Sequence, residues 1–332
     1  MTKYEPPFIN SNKIINLVAE ISELVGKISV IEKKNIHLRR EYRIRTIHSS
    51  LAIENNLLSL EKITDIIDGK RVLGNPNEIK EVKNAYDAYE IMLNLNPLSV
   101  EDLLKAHGVM TGGLIVEAGI FRTSGVGVFS GNEVIHVAPP SDLVSSLVME
   151  LINWYRESDL HILIKSCIFH YEFEFIHPFE DGNGRMGRLW HSIMLGKWNS
   201  IFYWLPVEEL ILSRQEEYYE AIAIGNRTRY SQDFVLLMLE IIYDTLKEME
   251  LTDQDSDQVS DQDEVDLSDE INKLISVMNN KTLSALEIME KLGLSHRATF
   301  RKNYLNPALE LGLIERTIPD KPNSKNQKYR KR

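Results

Sequence analysis

His177-Pro178-Phe179-Glu180-Asp181-Gly182-Asn183-Gly184-Arg185-Met186-Gly187-Arg188 is the stretch on which the reading of this chain turns. It brings together an imidazole, a carboxylate, two glycines around an asparagine, and two arginines. Ahead of it, residues 160–173 are apolar and free of Gly and Pro, which predicts a buried helix. Pro178 ends that helix, because proline lacks an amide donor and disfavours helical geometry in the residue before it. From Arg185 to Leu195 the pattern is helical again. The stretch is therefore a helix–loop–helix turn with its glycines at the N-terminus of the second helix. A dinucleotide-fold glycine loop would follow a strand, so helical flanks disfavour it.

A helix N-terminus exposes unpaired N–H groups and a partial positive charge. Gly182 and Gly184 let the backbone approach a ligand and adopt positive φ. Together these features make an anion site. Arg185 and Arg188, three apart, share the ligand side of the first turn and suit phosphate oxygens. Asp181 is placed to hold Mg²⁺, a hard ion that takes one or two carboxylates together with phosphate oxygens. His177 can accept a proton from an attacking hydroxyl near neutral pH.

Residues 177–188 match every fixed position of His-x-Phe-x-Asp/Glu-Gly-Asn-Gly-Arg-x-x-Arg, and on that motif the chain resembles the Fic-domain proteins. The resemblance implies a mainly α fold, a Fic-type helical bundle with a β-hairpin flap. It implies a protein adenylyltransferase that moves AMP from Mg-ATP to a Ser, Thr or Tyr hydroxyl of a target protein. By position, His177 would be the base and Asp181 the Mg²⁺ ligand. Gly182, Asn183 and Gly184 would hold the α- and β-phosphates of ATP, and Arg185 and Arg188 the outer phosphates.

Upstream, Ser50-Leu51-Ala52-Ile53-Glu54-Asn55 resembles the family's inhibitory helix through Ser50, Glu54 and Asn55. Ser and Glu four apart are common on helices, so this match draws its weight from the main motif. Residues 33–51 lack Gly and Pro and predict a helix on their own, placing the inhibitory helix at about 33–56. The resemblance has Glu54 pair with Arg188 and keep the γ-phosphate from its productive pose. Gly119-Ile120-Phe121-Arg122, followed by residues 126–140, is a further stretch of resemblance, and the alternating apolar residues around Ser130-Gly131-Asn132 predict a hairpin there. In the resemblance it is a flap that clamps a protein substrate along residues 126–137 by strand pairing. Tyr219 and Asn226, seven apart on one helix face, would stand near the adenine and ribose of ATP. A core tyrosine and a helix cap account for that pair equally well.

The chain has 332 residues, 43% of them hydrophobic, enough for a large domain and a small one. A net charge of −11 speaks against wholesale nucleic-acid coating. Cys167 is the single cysteine and lies in an apolar helix, so no intrachain disulfide forms and a reducing compartment is expected. The first residues lack a signal-peptide pattern, and no apolar run reaches the ~20 residues that span a bilayer. A cytoplasmic protein with no membrane partner is the expectation. His161, His170, His177 and His191 have no zinc-type spacing, and His170 and His191 read as buried and hydrogen-bonded. Further helices are expected at 76–94, 141–157, 160–175, 184–196, 207–225 and 231–249.

Residues 251–270 hold nine Asp and Glu and no Lys or Arg, which reads as a solvated linker. Residues 271–332 reverse the sign, with thirteen Lys and Arg against five Asp and Glu. Helices are expected there at 267–278, at 284–292 closed by Gly293, and from His296 towards Leu311 behind a Ser295 cap. Strands follow at 313–318 and 327–330. This order resembles a C-terminal winged-helix domain, a winged helix-turn-helix with Arg297, Arg301 and Lys302 on the recognition helix and Lys321 and Lys325 on the wing. DNA through residues 267–332 is the partner so implied, docking to protein being the other use of such a module. The expected division is an N-terminal helical region at 1–95, the catalytic core at 96–250, an acidic linker at 251–266 and the tail domain at 267–332. Removal of AMP by the same site, an ATP-sensing DNA-binding transcriptional regulator, and transfer of another phosphate-bearing group stay open at this point. A homo-oligomer is compatible with the sequence.

Overall fold

Ile14, Leu17, Ile21, Leu24, Val25 and Ile28 recur in steps of three and four along α1 (Asn12–Ile31), and all six are buried. That spacing lays one apolar stripe against the core. Helices α2 (Ile36–Ile53), α3 (Leu60–Ile67), α4 (Pro76–Ile91) and α5 (Val100–Thr111) follow. Their starts are written locally. Ser59, Asn75 and Ser99 each accept an N–H of the first turn, and Pro76 opens α4, where its missing donor costs nothing.

The computed structural model describes residues 4–31, 36–125, 127–130, 133–259, 269–278, 282–294, 296–310, 313–317 and 327–331. Contacts divide the chain into two units, Met1–Gln254 and Asp255–Arg332. In the first, an antiparallel hairpin of β1 (Gly127–Ser130) and β2 (Glu133–Val137) precedes α6 (Ser141–Glu157). Its register slips between Val128 and Phe129. The expected turn residues Gly131 and Asn132 lie outside the described residues. Helix α7 (Ile162–Ile176) buries eleven of its fifteen side chains, so it has no solvent face and runs through the middle of the bundle. Helix α8 (Asn183–Trp198) packs along it, with Trp190 and Leu189 fully buried.

The helix expected at 207–225 is two, α9 (Val207–Ser213) and α10 (Gln215–Thr228), broken at Arg214. Helix α11 (Gln232–Val259) runs past the expected end at 249 into the acidic stretch. Nothing between 232 and 259 is Gly or Pro, so no residue there forces a stop. Among the described residues no helix is long and apolar enough to cross a membrane.

The second unit holds α12 (Asp269–Met278), α13 (Ala285–Lys291), α14 (Arg297–Phe300) and α15 (Asn306–Glu310). Three antiparallel strands, β3 (Leu283–Ser284), β4 (Ile314–Arg316) and β5 (Lys328–Lys331), form a sheet in the order β3-β5-β4. Strands β4 and β5 meet the expected 313–318 and 327–330, β5 ending one residue later, whereas the two-residue β3 is not among the expected strands. Ser284 and Glu287 close a capping box on α13, and Gly293 ends it at φ 67°. Pro307 does not stop the third helix. A π turn at Arg301–Leu305, with the Asn306 N–H donating to Arg301 O, absorbs the donor that proline lacks. Leu274, Ile288, Phe300, Leu305, Ile314 and Tyr329 make a core of their own. Ser295, Gly312, Lys321 and Lys325 lie outside the described residues.

Candidate active site

Helix α7 stops at Ile176 because His177 turns left-handed, at φ 50° and ψ 62°. A non-glycine residue there costs about 1–2 kcal/mol, so its surroundings must hold it. Arg122 does so. Its Nε donates to His177 O at 2.7 Å, its Nη2 to Pro139 O at 2.6 Å and Ile176 O at 3.3 Å, and its Nη1 to Ser124 O at 2.8 Å. Its own N–H donates to Pro178 O at 3.0 Å. One buried guanidinium thus fastens both feet of the hairpin to the His177 turn, and burial lowers its pKa. The His177 Nδ1 lies 3.4 Å from Glu174 O; a proton donated there leaves Nε2 as the basic nitrogen.

Phe179 is fully buried and stacks on His107, with ring centroids 3.7 Å apart and planes 5° from parallel. The Gly119 N–H donates to His107 Nδ1 at 3.0 Å, so Nε2 carries the proton and donates to Asp181 O, also at 3.0 Å. Burial brings the His107 pKa down to about 4, so the ring is neutral at physiological pH. Asn183 braces the loop from inside. Its Oδ1 accepts the Phe179 N–H at 2.9 Å, and its Nδ2 donates to Phe179 O at 3.0 Å. Gly182 caps α8 at φ 82°, where a Cβ would sit 2.9 Å from the Thr111 methyl. Asp181 accepts the Gly182 N–H on Oδ1 at 2.6 Å and Arg185 Nη2 on Oδ2 at 3.1 Å, and its carboxylate is largely exposed.

The far wall is the end of α2. Asn55 turns left-handed at φ 65°, and the Asn56 N–H returns to Leu51 O. Gln215 Nε2 and Tyr219 OH both donate to Ile53 O, at 3.0 and 3.4 Å. This turn aims Glu54 at the motif. Glu54 Oε1 accepts Arg188 Nη2 at 2.8 Å, while Arg188 also donates to Ser50 Oγ at 3.1 Å and Ser50 O at 3.0 Å. A Cβ on Gly184 would lie 2.2 Å from Glu54 Oε1, so the carboxylate rests directly on the first turn of α8. Burial works to lower the Arg188 pKa, but the charge of the Glu54 carboxylate and its hydrogen bond outweigh it and raise it. Helix α2 is itself anchored. Arg45 makes a two-pronged pair with Glu209 of α9, and Arg43 lies over the rings of Tyr89 and Trp204.

The structure therefore gathers His177, Asp181, Gly182, Asn183, Gly184, Arg185, Arg188, Ser50 and Glu54 around one cradle. Asn55 contributes its backbone turn, and its side chain is exposed. Tyr219 borders the Glu54 turn, whereas Asn226 lies farther along α10 and accepts from Tyr171 OH at 3.1 Å. His170 bonds Tyr218 OH at 3.1 Å, His191 meets Cys167 Sγ at 3.7 Å, and burial keeps both imidazoles neutral. His107, Glu81 and Glu174 carry no local sequence signal that marks them for this site, and no such signal gives Arg122 its role. Glu81 Oε1 lies 3.8 Å from Arg185 Nη1. Burial pushes the Glu174 carboxyl up to about 8, against the pull of Arg188. Among the described residues no three His, Cys, Asp or Glu gather as metal ligands, so a cation here would rest on Asp181 and on the oxygens of its ligand.

The model of the Fic/DOC family matches residues 97–195, the span that builds this cradle. A second model, the C-terminal domain of Filamentation induced by cAMP protein Fic-like, matches residues 269–331. A probable protein adenylyltransferase from Aquifex aeolicus is 34% identical over 42% of this chain and 43% of its own length. A protein adenylyltransferase from Caenorhabditis elegans is 30% identical over 57% of this chain and 38% of its own. The chain thus spans less than half the length of these curated relatives. The crystal structure of a Fic family protein from Desulfovibrio desulfuricans covers 99% of this chain and 98% of its own at 46% identity, with a TM-score of 0.75. A match that runs end to end, together with a family model seated on the loop that Arg122, His107 and Asn183 brace, places this chain in the Fic family.

Proposed function

We propose that this chain transfers AMP from Mg-ATP to a hydroxyl of a target protein, and that Glu54 inhibits it from within. The observation that carries the reading is the place of the Glu54 carboxylate. It rests on Gly184 at the α8 N-terminus and bonds the buried Arg188. A site that takes a carboxylate against a helix N-terminus and a guanidinium suits a phosphate oxygen for the same reasons.

In this reaction the target segment lies along the hairpin at 126–137. His177 Nε2 takes the hydroxyl proton as the oxygen attacks the α-phosphorus. The bond from that phosphorus to the bridging oxygen breaks, and pyrophosphate leaves with the electron pair. N–H groups at Asn183 and Gly184 meet the charge on the α-phosphate oxygens, and Arg185 and Arg188 meet the charge on the leaving group. Mg²⁺ held by Asp181 would neutralise phosphate charge. Tyr219 and Asn226 belong to the adenine and ribose side in this proposal. With Glu54 in place, the γ-phosphate finds Arg188 already taken.

Labelled ATP with a cell lysate tests the reading. A hydrogen bond to a charged group contributes about 1.5–3 kcal/mol, and Glu54 is a third exposed, so Glu54→Gly should raise transfer by about tenfold. Adding His177→Ala should abolish transfer and leave ATP binding in place. Equal labelling by wild type and Glu54→Gly refutes the inhibition, and undiminished labelling without His177 refutes the base.

A further inference from the structure

Both motif arginines face carboxylates, and one turn of chain connects them. Arg188 bonds Glu54 at 2.8 Å. Arg185, nearly fully buried, lies between Asp181 at 3.1 Å and Glu81 at 3.8 Å, and its buried Nε has no hydrogen-bond partner. Glu81 belongs to α4, outside the motif and outside the inhibitory helix. Its second oxygen accepts Asn56 Nδ2 at 2.8 Å. Asn56 is buried and fully used. Its Nδ2 also reaches Glu78 O at 3.3 Å, and its Oδ1 accepts the Leu58 N–H at 3.1 Å. Residues 54 to 56 therefore carry Glu54 at one end and hold Glu81 at the other.

We propose that Glu81 is a second acid set against the nucleotide, acting on Arg185 as Glu54 acts on Arg188, with Asn56 latching the two together. The inference rests on the reading of the cradle as a triphosphate site. The outer phosphates need both guanidinium groups. The 3.8 Å contact to Glu81 is a charge contact without a hydrogen bond, so a phosphate oxygen can replace it at small cost. Glu81 then loses its cation, and its remaining hold on the Glu54 turn is the bond to Asn56. Departure of one acid weakens the seat of the other, so the two brakes release together.

Calorimetry with MgATP on the full chain tests this, using Glu81→Gln and Asn56→Ala, each alone and with Glu54→Gly. Glu81→Gln keeps an oxygen for Asn56 and removes only the charge. It should tighten MgATP binding by about two- to fivefold, the worth of a partly exposed ion pair, in both backgrounds. Asn56→Ala should tighten binding more in the wild type than beside Glu54→Gly, where the turn that Asn56 steadies no longer carries an acid against Arg188. Thermal melts without nucleotide show whether each variant is folded, and Glu81→Gln should melt with the wild type. Unchanged or weaker binding in Glu81→Gln overturns the second brake. An Asn56→Ala effect of equal size in both backgrounds overturns the latch. If Glu54→Gly itself gives no heat with MgATP, the triphosphate reading fails; if it binds well and Glu81→Gln adds nothing, only the present inference fails.

Discussion

His107→Phe is the sharpest perturbation of the loop that carries the motif. Phenylalanine keeps a flat ring against Phe179, so the 3.7 Å stack survives. It removes both nitrogens. The Gly119 N–H and the Asp181 carbonyl, each paired at 3.0 Å, then lose their partners inside the protein. Both bonds are part-buried, so water can reach the freed groups, and at about 0.5–1.5 kcal/mol for each the pair predicts a loss of about 1–3 kcal/mol. Urea unfolding followed by tryptophan fluorescence reads this as a lower midpoint at unchanged slope.

The loss is directional for function. Only Asp181 belongs to the motif loop, so under the proposed function the Nε2 side of the ring is the side that bears on nucleotide binding. His107→Gln can bring an amide N–H to the Asp181 carbonyl, while His107→Asn can offer an oxygen to Gly119 and cannot reach Asp181. Placed beside Glu54→Gly, the Gln variant should bind MgATP more tightly than the Asn variant. A His107→Phe protein that loses less than about 1 kcal/mol refutes the premise that these two bonds hold the loop. Equal MgATP affinity for Gln and Asn refutes the link from Nε2 to the cradle.

Gly182→Ala combines strain at φ 82° with a Cβ 2.9 Å from the Thr111 methyl, and should cost about 1–3 kcal/mol and weaken MgATP binding. Thr111→Ser removes the methyl and keeps a hydroxyl for His107 O, so the double variant should regain part of that loss; no recovery in the double-mutant cycle rules out the clash. Stability should also fall as pH rises from about 6.5 to 8. Burial raises Glu172 and Glu208 to about 7 and Glu174 to about 8, so over this window the folded state binds protons that the unfolded state, titrating near 4.5, has released. His107, His170 and His191 have lowered pKa values and act the other way, but only below 6.5, where the unfolded chain takes up protons the folded one refuses. Thermal midpoints across pH 6.5–8 should decline, and Glu208→Gln should flatten the decline; a flat wild-type profile contradicts the assignment.

What the sequence disclosed follows the reach of each interaction. The cradle is local. Gly182, Asn183 and Gly184 cap a helix, and Arg185 and Arg188 sit on its first turn, so twelve consecutive residues carry enough geometry to expect an anion site. The apolar spacing of α1 is equally local, with residues 14, 17, 21, 24, 25 and 28 in register, although α1 is not among the helices expected above. Long-range partners leave no such trace. His107 meets Asp181 across 74 residues, and nothing in Leu103-Leu104-Lys105-Ala106-His107-Gly108 distinguishes that histidine from one satisfied anywhere in a core. The task of Arg122 is not legible in the sequence, because a cation that bonds only carbonyls needs no acidic residue nearby.

The contact between Glu54 and Arg188 lies between these cases. Glu54 and Arg188 are 134 residues apart, so no helical periodicity or turn chemistry connects them, and the pairing came from resemblance alone. The physical reason for the fit becomes readable once α8 is in place. An α-helix N-terminus and a guanidinium select for negative charge and compact oxygens, not for phosphorus. A glutamate delivered by the left-handed turn at Asn55 meets that demand as a phosphate does. In the proposed reaction, selectivity between the internal acid and a nucleotide must therefore come from number. A carboxylate occupies Gly184 and Arg188, whereas a triphosphate can engage Gly184, Arg185 and Arg188 at once. Whatever occupies Arg185 sets how large that advantage is, and in this chain the groups facing it are Asp181 and Glu81.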